Sequence, residues 1–347
     1  MMRPTPNFKA HTHHYWILFR ESLVDQDEVL AANKFFNVTF QHELIPTGSV
    51  VIPRYSALPF YQYLEEGIHA LGSRLIQPYH QHRFVADMQN WYYHLENVTP
   101  KTWFSLEEFG WDNKKLKPDC SFVLKGATNS KKNQWSTHMF AQTVQDVMKV
   151  HSNLMQDSLV GDQPIYIRKF VELNPVGTRV DNRPVTEEYR VFILDGKILC
   201  KAFYWSEYAD VVAPEHQDPN NIPESFLEGI LDAVGDEIRF YVVDVARTKS
   251  GNWMVVELND GLQSGLSMCD PEEMYGNLLK GLQENPKCYD KNCKLNGALG
   301  KEQVRYCTPC ARRLYREMAE KLAPLEPANG IFAQGDYPDD EEEDNEA

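Results

Sequence analysis

Three oxygen-bearing side chains gather where an apolar segment runs out. "VVELNDGLQSGL", starting at Val255, carries Glu257 and Asn259 on one face of a strand with a two-residue period. The preceding apolar segment, "YVVDVAR", carries Asp244 among valines. Ser250 and Gly251 between them predict a hairpin. With Arg247 opposite Asn252, Asp244 falls opposite Val255, and Glu257 is its diagonal neighbour, about 7–8 Å away at the β-carbons. Two carboxylates and an amide oxygen then share one patch. Left alone, the carboxylates repel and one of them is pushed toward the neutral form. A hard divalent cation such as Mg²⁺ removes that cost and takes oxygen ligands. The competing reading is a solvated polar face; the apolar flanks argue against full exposure.

Cationic residues lie upstream. "FVLKGATNSKKNQWS" puts Lys125 at the end of a strand and Lys131 and Lys132 on a small, polar loop. Lysines on a strand and on a loop can hold phosphate oxygens from two sides as point charges. A solvated loop explains Lys131 and Lys132 equally well. In "EYRVFILDGKILC", Arg190 shares a face with Phe192 and Leu194. An inward arginine calls for an anionic partner. Glu172, Glu188 or a ligand phosphate or carboxylate would serve.

The elements that must position these groups follow from periodicity. "HYWILFRES" and "GSVVIPRYS" read as strands. Leu58, Tyr61, Leu64, Ile68 and Leu71 mark a helix, and Met88, Tyr92 and Leu95 another. Residues 1–98 thus form a small α/β unit. From Cys120 the pattern turns to strand, helix and hairpin: "CSFVLKG" as strand, "THMFAQTVQDVMKVHSNLM" as helix, "QPIYIRKFVEL" as strand, then a hairpin about Asp195-Gly196. Helices among antiparallel hairpins give an α+β domain over 99–285, beside the α/β unit.

Composition narrows the function. The 347 residues are 42% hydrophobic and 24% charged, as in globular proteins. The net charge of −15 disfavours general nucleic-acid binding, which needs a surplus of Lys and Arg. No apolar run reaches the ~20 residues that span a bilayer, and the N-terminal residues hold no apolar signal core. A cytoplasmic protein without membrane partners is expected. Residues 324–347 read as a disordered acidic tail.

In order and spacing these motifs resemble an ATP-grasp enzyme over residues 48–282. "VVIPRYS" stands in the N-terminal (pre-ATP-grasp) domain. A strand lysine and lid (about 115–170) follow, then the hinge strand "IYIRKFVEL", the strand pair with Arg190, and the D…E-x-N hairpin. The layout looks particularly like the ribosomal-protein glutamate ligase branch, and like the phage-enriched clade named for one arginine and two lysines; a phage protein would work in the host cytoplasm. The resemblance implies ATP and Mg²⁺ as cofactors. Lys125 with Lys131 or Lys132 would hold the phosphates. Lys169, Phe170 and Val171 would line the adenine hinge, and Glu172 would bond the ribose. Arg190 would bind the γ-phosphate or an acyl phosphate, and Arg54 would face the substrate. Asp244, Glu257 and Asn259 would carry Mg²⁺. The implied reaction joins a carboxylate to an amine of an amino acid, peptide or protein through an acyl phosphate. The alternatives are a nucleotide-sensing module that binds protein or RNA, and a phosphotransferase of the same fold. The lid has only Gly126 where relatives carry several glycines, and Lys169 stands where they often carry an acid.

Of seven cysteines, Cys120, Cys200 and Cys269 sit among apolar residues as free thiols. Cys288, Cys293, Cys307 and Cys310 have the C-x4-C and C-x2-C spacing of a Zn²⁺ site within a basic module over 286–323. Zinc and ordinary free cysteines both fit. Nucleic acid, if bound at all, would dock there.

Overall fold

The computed structural model describes residues 14–284, apart from 24, 113–115, 118–119 and 181. All of these lie in one compact unit. The cysteine module and the acidic tail lie outside the described residues.

A parallel sheet of order β2-β1-β3-β4 opens the chain. Its strands are β1 (Tyr15–Leu18), β2 (Asn37–Thr39), β3 (Val50–Pro53) and β4 (Arg74–Leu75). β1 and β3 are buried throughout and read as unbroken apolar runs, as parallel strands do. α1 (Gln26–Phe35) starts at Asp25, whose carboxylate accepts from the Asp27 N–H and satisfies an end donor. α2 (Tyr61–Ala70) buries Tyr61, Leu64 and Ile68, the spacing expected. α3 (Tyr79–Ala86) and α4 (Met88–Leu95) follow; Asp87 caps α4 through the Gln89 N–H.

Two antiparallel sheets carry the rest. One has the order β5-β8-β6-β7, from β5 (Thr102–Trp103), β6 (Phe122–Gly126), β7 (Phe140–Ala141) and β8 (Ile165–Lys169). Phe122, Leu124, Ile165 and Ile167 pack against α5 (Leu106–Asp112) and α6 (Val147–Met155). The second has the order β12-β11-β13-β14, from β11 (Glu188–Leu194), β12 (Lys197–Phe203), β13 (Phe240–Arg247) and β14 (Trp253–Asp260). Tyr189, Val191, Ile193, Val243, Val245, Val255 and Leu258 form a core with α4 and α7 (Glu224–Val234). β9 (Pro175–Thr178) and β10 (Pro184–Thr186) form a separate hairpin. α8 (Pro271–Glu284), capped by Asp270, closes the described chain against α1 and β12.

The Asp195-Gly196 turn forms as read; both residues have positive φ, 49° and 74°. Two expectations are corrected. The helix expected from Thr137 begins only at Val147. Phe140 and Ala141 instead pair with β6, and Asp146 accepts from the N–H and hydroxyl of Thr143, which holds a turn there. The second correction is the register of the metal-bearing hairpin. Thr248, not Arg247, faces Asn252 across the turn. A bulge then leaves Val256 unpaired, so Asp244 lies directly opposite Glu257 rather than opposite Val255. The bulge also breaks the simple alternation: Val255 enters the core, while Met254, Val256 and Glu257 all line the cleft.

Candidate active site

A cleft of about 600 Å³ is lined by residues of both antiparallel sheets and by the β9–β10 hairpin. From the first sheet come Val123, Lys125, Arg168 and Lys169; from the second, Glu188, Asp244, Met254 and Glu257. Opposite charges meet across it. Lys125 donates to Glu257 Oε1. Arg190 grips Asp244 through Nε at 2.9 Å and Nη2 at 2.8 Å, a bidentate pair made possible because the two residues are direct cross-strand neighbours. Its remaining nitrogen, Nη1, donates to the Gly265 carbonyl at 2.7 Å. Asn259 Nδ2 donates to Asp244 Oδ2 at 3.1 Å.

Burial and charge compete in the protonation of these groups. Burial alone would raise the Glu257 carboxyl, but Lys125, Lys132 and Arg168 outweigh it and hold it at about 2. Burial lowers the affinity of Lys132 and Arg190 for their protons. Glu257 and Tyr204 outweigh that for Lys132, and Asp244 outweighs it for Arg190, so both are raised. Glu188 goes the other way. Burial pushes its carboxyl up to about 7, with the Thr186 hydroxyl opposing and Asp244 adding to the rise.

The predicted residues do not all converge. Lys132 lines the cleft, with Nζ 6.0 Å from the Tyr204 ring centre. Lys131 turns to Asp157 at 3.1 Å. Lys169, Phe170, Val171 and Glu172 all line the cleft, although the N–H groups of Lys169 and Phe170 are spent on Lys101 and Ser121 carbonyls. Glu172 pairs with Lys249 at 2.8 Å. Arg54 lines neither this cleft nor its neighbour. Its guanidinium is buried and bonded to Glu28 and to the carbonyls of Gly261 and Ser264, tying β3 to the loop after β14. Asp260 shapes that loop as expected, accepting from the Leu262 N–H, but its other oxygen binds His82 Nδ1 at 2.7 Å. Gly261 has a steric role: a β-carbon there would come within 2.9 Å of the Phe240 ring.

Sequence reasoning missed Arg168 and Glu188. Arg168 supports the bulge. Its Nη1 donates to the Val256 carbonyl at 2.5 Å and Nη2 to Val255 at 3.3 Å. The Thr99 hydroxyl also donates to the Val255 carbonyl, and the Val255 N–H goes to Val98. The backbone groups that leave the ladder are thereby satisfied. A charged residue inside an apolar strand was the available signal. Glu188 was visible only as a partner for Arg190. The β9–β10 hairpin lies in a stretch whose composition suggests loop; its Arg183 donates to the Lys132 carbonyl at 3.3 Å, and the Arg179 guanidinium sits 5.3 Å from the rings of Trp205 and Tyr208.

Among the described residues no three His, Cys, Asp or Glu side chains are arranged to hold a metal ion. The candidate set is therefore two carboxylates and an amide oxygen, completed by ligand oxygens. It fits a hard cation. The Asp244 carboxylate has about four acceptor sites, of which Arg190 and Asn259 use three, and Glu257 Oε2 is left beside the Lys125 contact on Oε1.

Residues 108–278 match a family model described as an ATP-grasp domain, family 3 of the clade named for one arginine and two lysines. This segment is thus an ATP-grasp domain. Among solved structures, the chain is similar to D-cycloserine synthetase DcsG, with a TM-score of 0.52 and 13% identity over 77% of this chain and 99% of that one. That likeness is one of fold. Further neighbours are a RimK domain protein ATP-grasp from Sphaerobacter thermophilus DSM 20745 (TM-score 0.49, 14% identity, 76% of this chain and 99% of that one) and D-alanine–D-alanine ligase from Bacillus anthracis (TM-score 0.49, 12% identity, 78% and 95%). By sequence, no curated protein matches the chain. No described helix is long and apolar enough to cross a membrane.

Proposed function

We propose that this protein is an ATP-dependent carboxylate–amine ligase that works through an acyl phosphate. The observation that carries the reading is the gathering, in one cleft, of an apolar slot and a charged row. Trp135, Met139, Phe170, Val171, Met254 and Val256 line the slot and suit an adenine ring. Lys125, Lys132 and Arg190 stand beside Asp244, Glu257 and Asn259, as a polyphosphate with its cation requires. Bound Mg²⁺ would supply charge neutralisation between phosphate oxygens, held by Asp244, Glu257 and Asn259.

The chain's own groups do the rest. Lys125 and Lys132 exchange their carboxylate contacts for phosphate oxygens, and Arg190, locked by Asp244, holds the transferring phosphoryl group. Stabilisation by groups already in place needs no reorganisation at the moment of reaction. The γ-phosphoryl group passes to a substrate carboxylate, and an amine then displaces phosphate from carbon. The acceptor class we favour is the amine of an amino acid or peptide.

ADP release should require ATP, Mg²⁺, a carboxylate and an amine together, and product mass should equal the two substrates less water. ADP with a stable phosphorylated product would instead mark a phosphotransferase. ATP binding without any ADP across amino acids and peptides would mark a nucleotide sensor.

A further inference from the structure

A second, smaller cavity of about 160 Å³ adjoins the cleft. The two share only Lys125 and Glu257 in their linings. Ser56, Thr128, Gln263 and Ser264 give the small cavity neutral polar walls, and Met88 and Trp91 an apolar one. Its volume is close to that of a cavity that holds a benzene molecule, so it admits the tip of a substrate and not a folded partner.

His82 lines this cavity and is buried, 2% exposed. Its ring is clamped. It stacks on Tyr61 with centroids 3.9 Å apart and planes 4° from parallel, and the Tyr61 hydroxyl is fixed on the Gln77 carbonyl at 2.6 Å. Nδ1 meets Asp260 Oδ2 at 2.7 Å and Gln263 Nε2 at 3.5 Å. A carboxylate only accepts, so Nδ1 carries the proton and the Nε2 lone pair is directed to other use. Among the described residues Nε2 has no hydrogen-bond partner. Glu65 and Asp260 are the charged groups near the ring. A buried imidazole with one nitrogen fixed by a carboxylate and the other unspent in a cavity is a base in waiting.

On the ligase reading above, we propose that this cavity is the acceptor subsite and that His82, oriented by Asp260, takes the proton from the attacking amine. The subsite fits a primary amine on a single amino-acid residue, free or as the first residue of a peptide. The amine nitrogen forms the C–N bond with the acyl carbon. The C–O bond to the phosphoryl group breaks, and its electron pair leaves on phosphate. One N–H proton passes to His82 Nε2 and then to solvent.

The test separates the two half-reactions. Wild type, His82→Gln and His82→Ala receive ATP, Mg²⁺ and a mixture of the twenty amino acids, with and without hydroxylamine. Hydroxylamine traps acyl phosphates as hydroxamates and, being largely unprotonated at neutral pH, needs no base. Both variants should form hydroxamates within about twofold of wild type, which also shows that they are folded. Their dipeptide formation should fall by about 100-fold or more. Loss of both products together, or of neither, overturns the role of His82. Hydroxamate without dipeptide in the wild type overturns the amino-acid acceptor. A wild type that makes neither product overturns the ligase reading, and this inference with it.

Discussion

Arg190 and Asp244 form a two-point pair on adjacent strands of the central sheet, at 2.9 and 2.8 Å, with both side chains nearly excluded from solvent. The arginine proposed for phosphate and the aspartate proposed for metal are thus each other's support. Asp244→Asn leaves a buried guanidinium without its counter-charge and should cost about 3–5 kcal/mol in urea denaturation. Arg190→Met with Asp244→Asn should recover part of that loss. A double variant no more stable than Asp244→Asn alone would show that the pair is not the source.

The two lid lysines should separate cleanly. Lys132→Ala should weaken binding of a fluorescent ATP analogue at least tenfold, since Lys132 lines the cleft beside Glu257 and Asp244. Lys131→Ala should change it less than twofold, because that lysine is engaged with Asp157. Equal effects would contradict this placement.

Glu257 should contribute to acid lability. Its carboxyl titrates at about 2 when folded and near 4.5 when unfolded. The depressed value means that its stabilisation is complete above about pH 4.5 and disappears as pH falls toward 2. Urea midpoints measured from pH 5 to pH 2.5 should fall more steeply for wild type than for Glu257→Gln. The same variant should lose Mg²⁺-dependent turnover.

Glu188 has the opposite sign. With a folded value of about 7 against 4.5 unfolded, the native state holds the extra proton in between, so stability falls as pH rises from 4.5 through 7. Glu188→Gln should flatten that part of the profile. A wild-type profile already flat between pH 5 and 7.5, and unaltered by the substitution, would remove Glu188 from consideration.

Much of this site was legible in the chain. The two-residue period put Glu257 and Asn259 together and gave Asp244 as their neighbour, and Lys125 stood out at a strand end. The opposition of Asp244 and Glu257 was not legible, because the bulge lies within Val255-Val256-Glu257 and no glycine or proline announces it. Its support, Arg168, comes from a strand of the other sheet. Nor did spacing show that Arg190 faces Asp244, since β11 pairs with β13 as well as with its hairpin partner. The β9–β10 hairpin was hidden in "NPVGTRVDNRPVT", where prolines, asparagine and glycine suggest loop. His82 sat in "YHQHRF" with nothing local to mark it; Asp260, which orients it, is 178 residues away.

The Lys125–Glu257 pair is the only wall common to the two cavities. A ligand on either side that recruits one of these residues parts the same contact. The first to bind meets the cost of opening it, and the second finds it open. Occupancy of the two cavities should therefore be positively cooperative, and linkage makes the coupling equal in both directions. An ion pair with no substrate of its own would in this way set the order in which substrates are tolerated, and would leave nucleotide alone a poorer ligand than nucleotide in company.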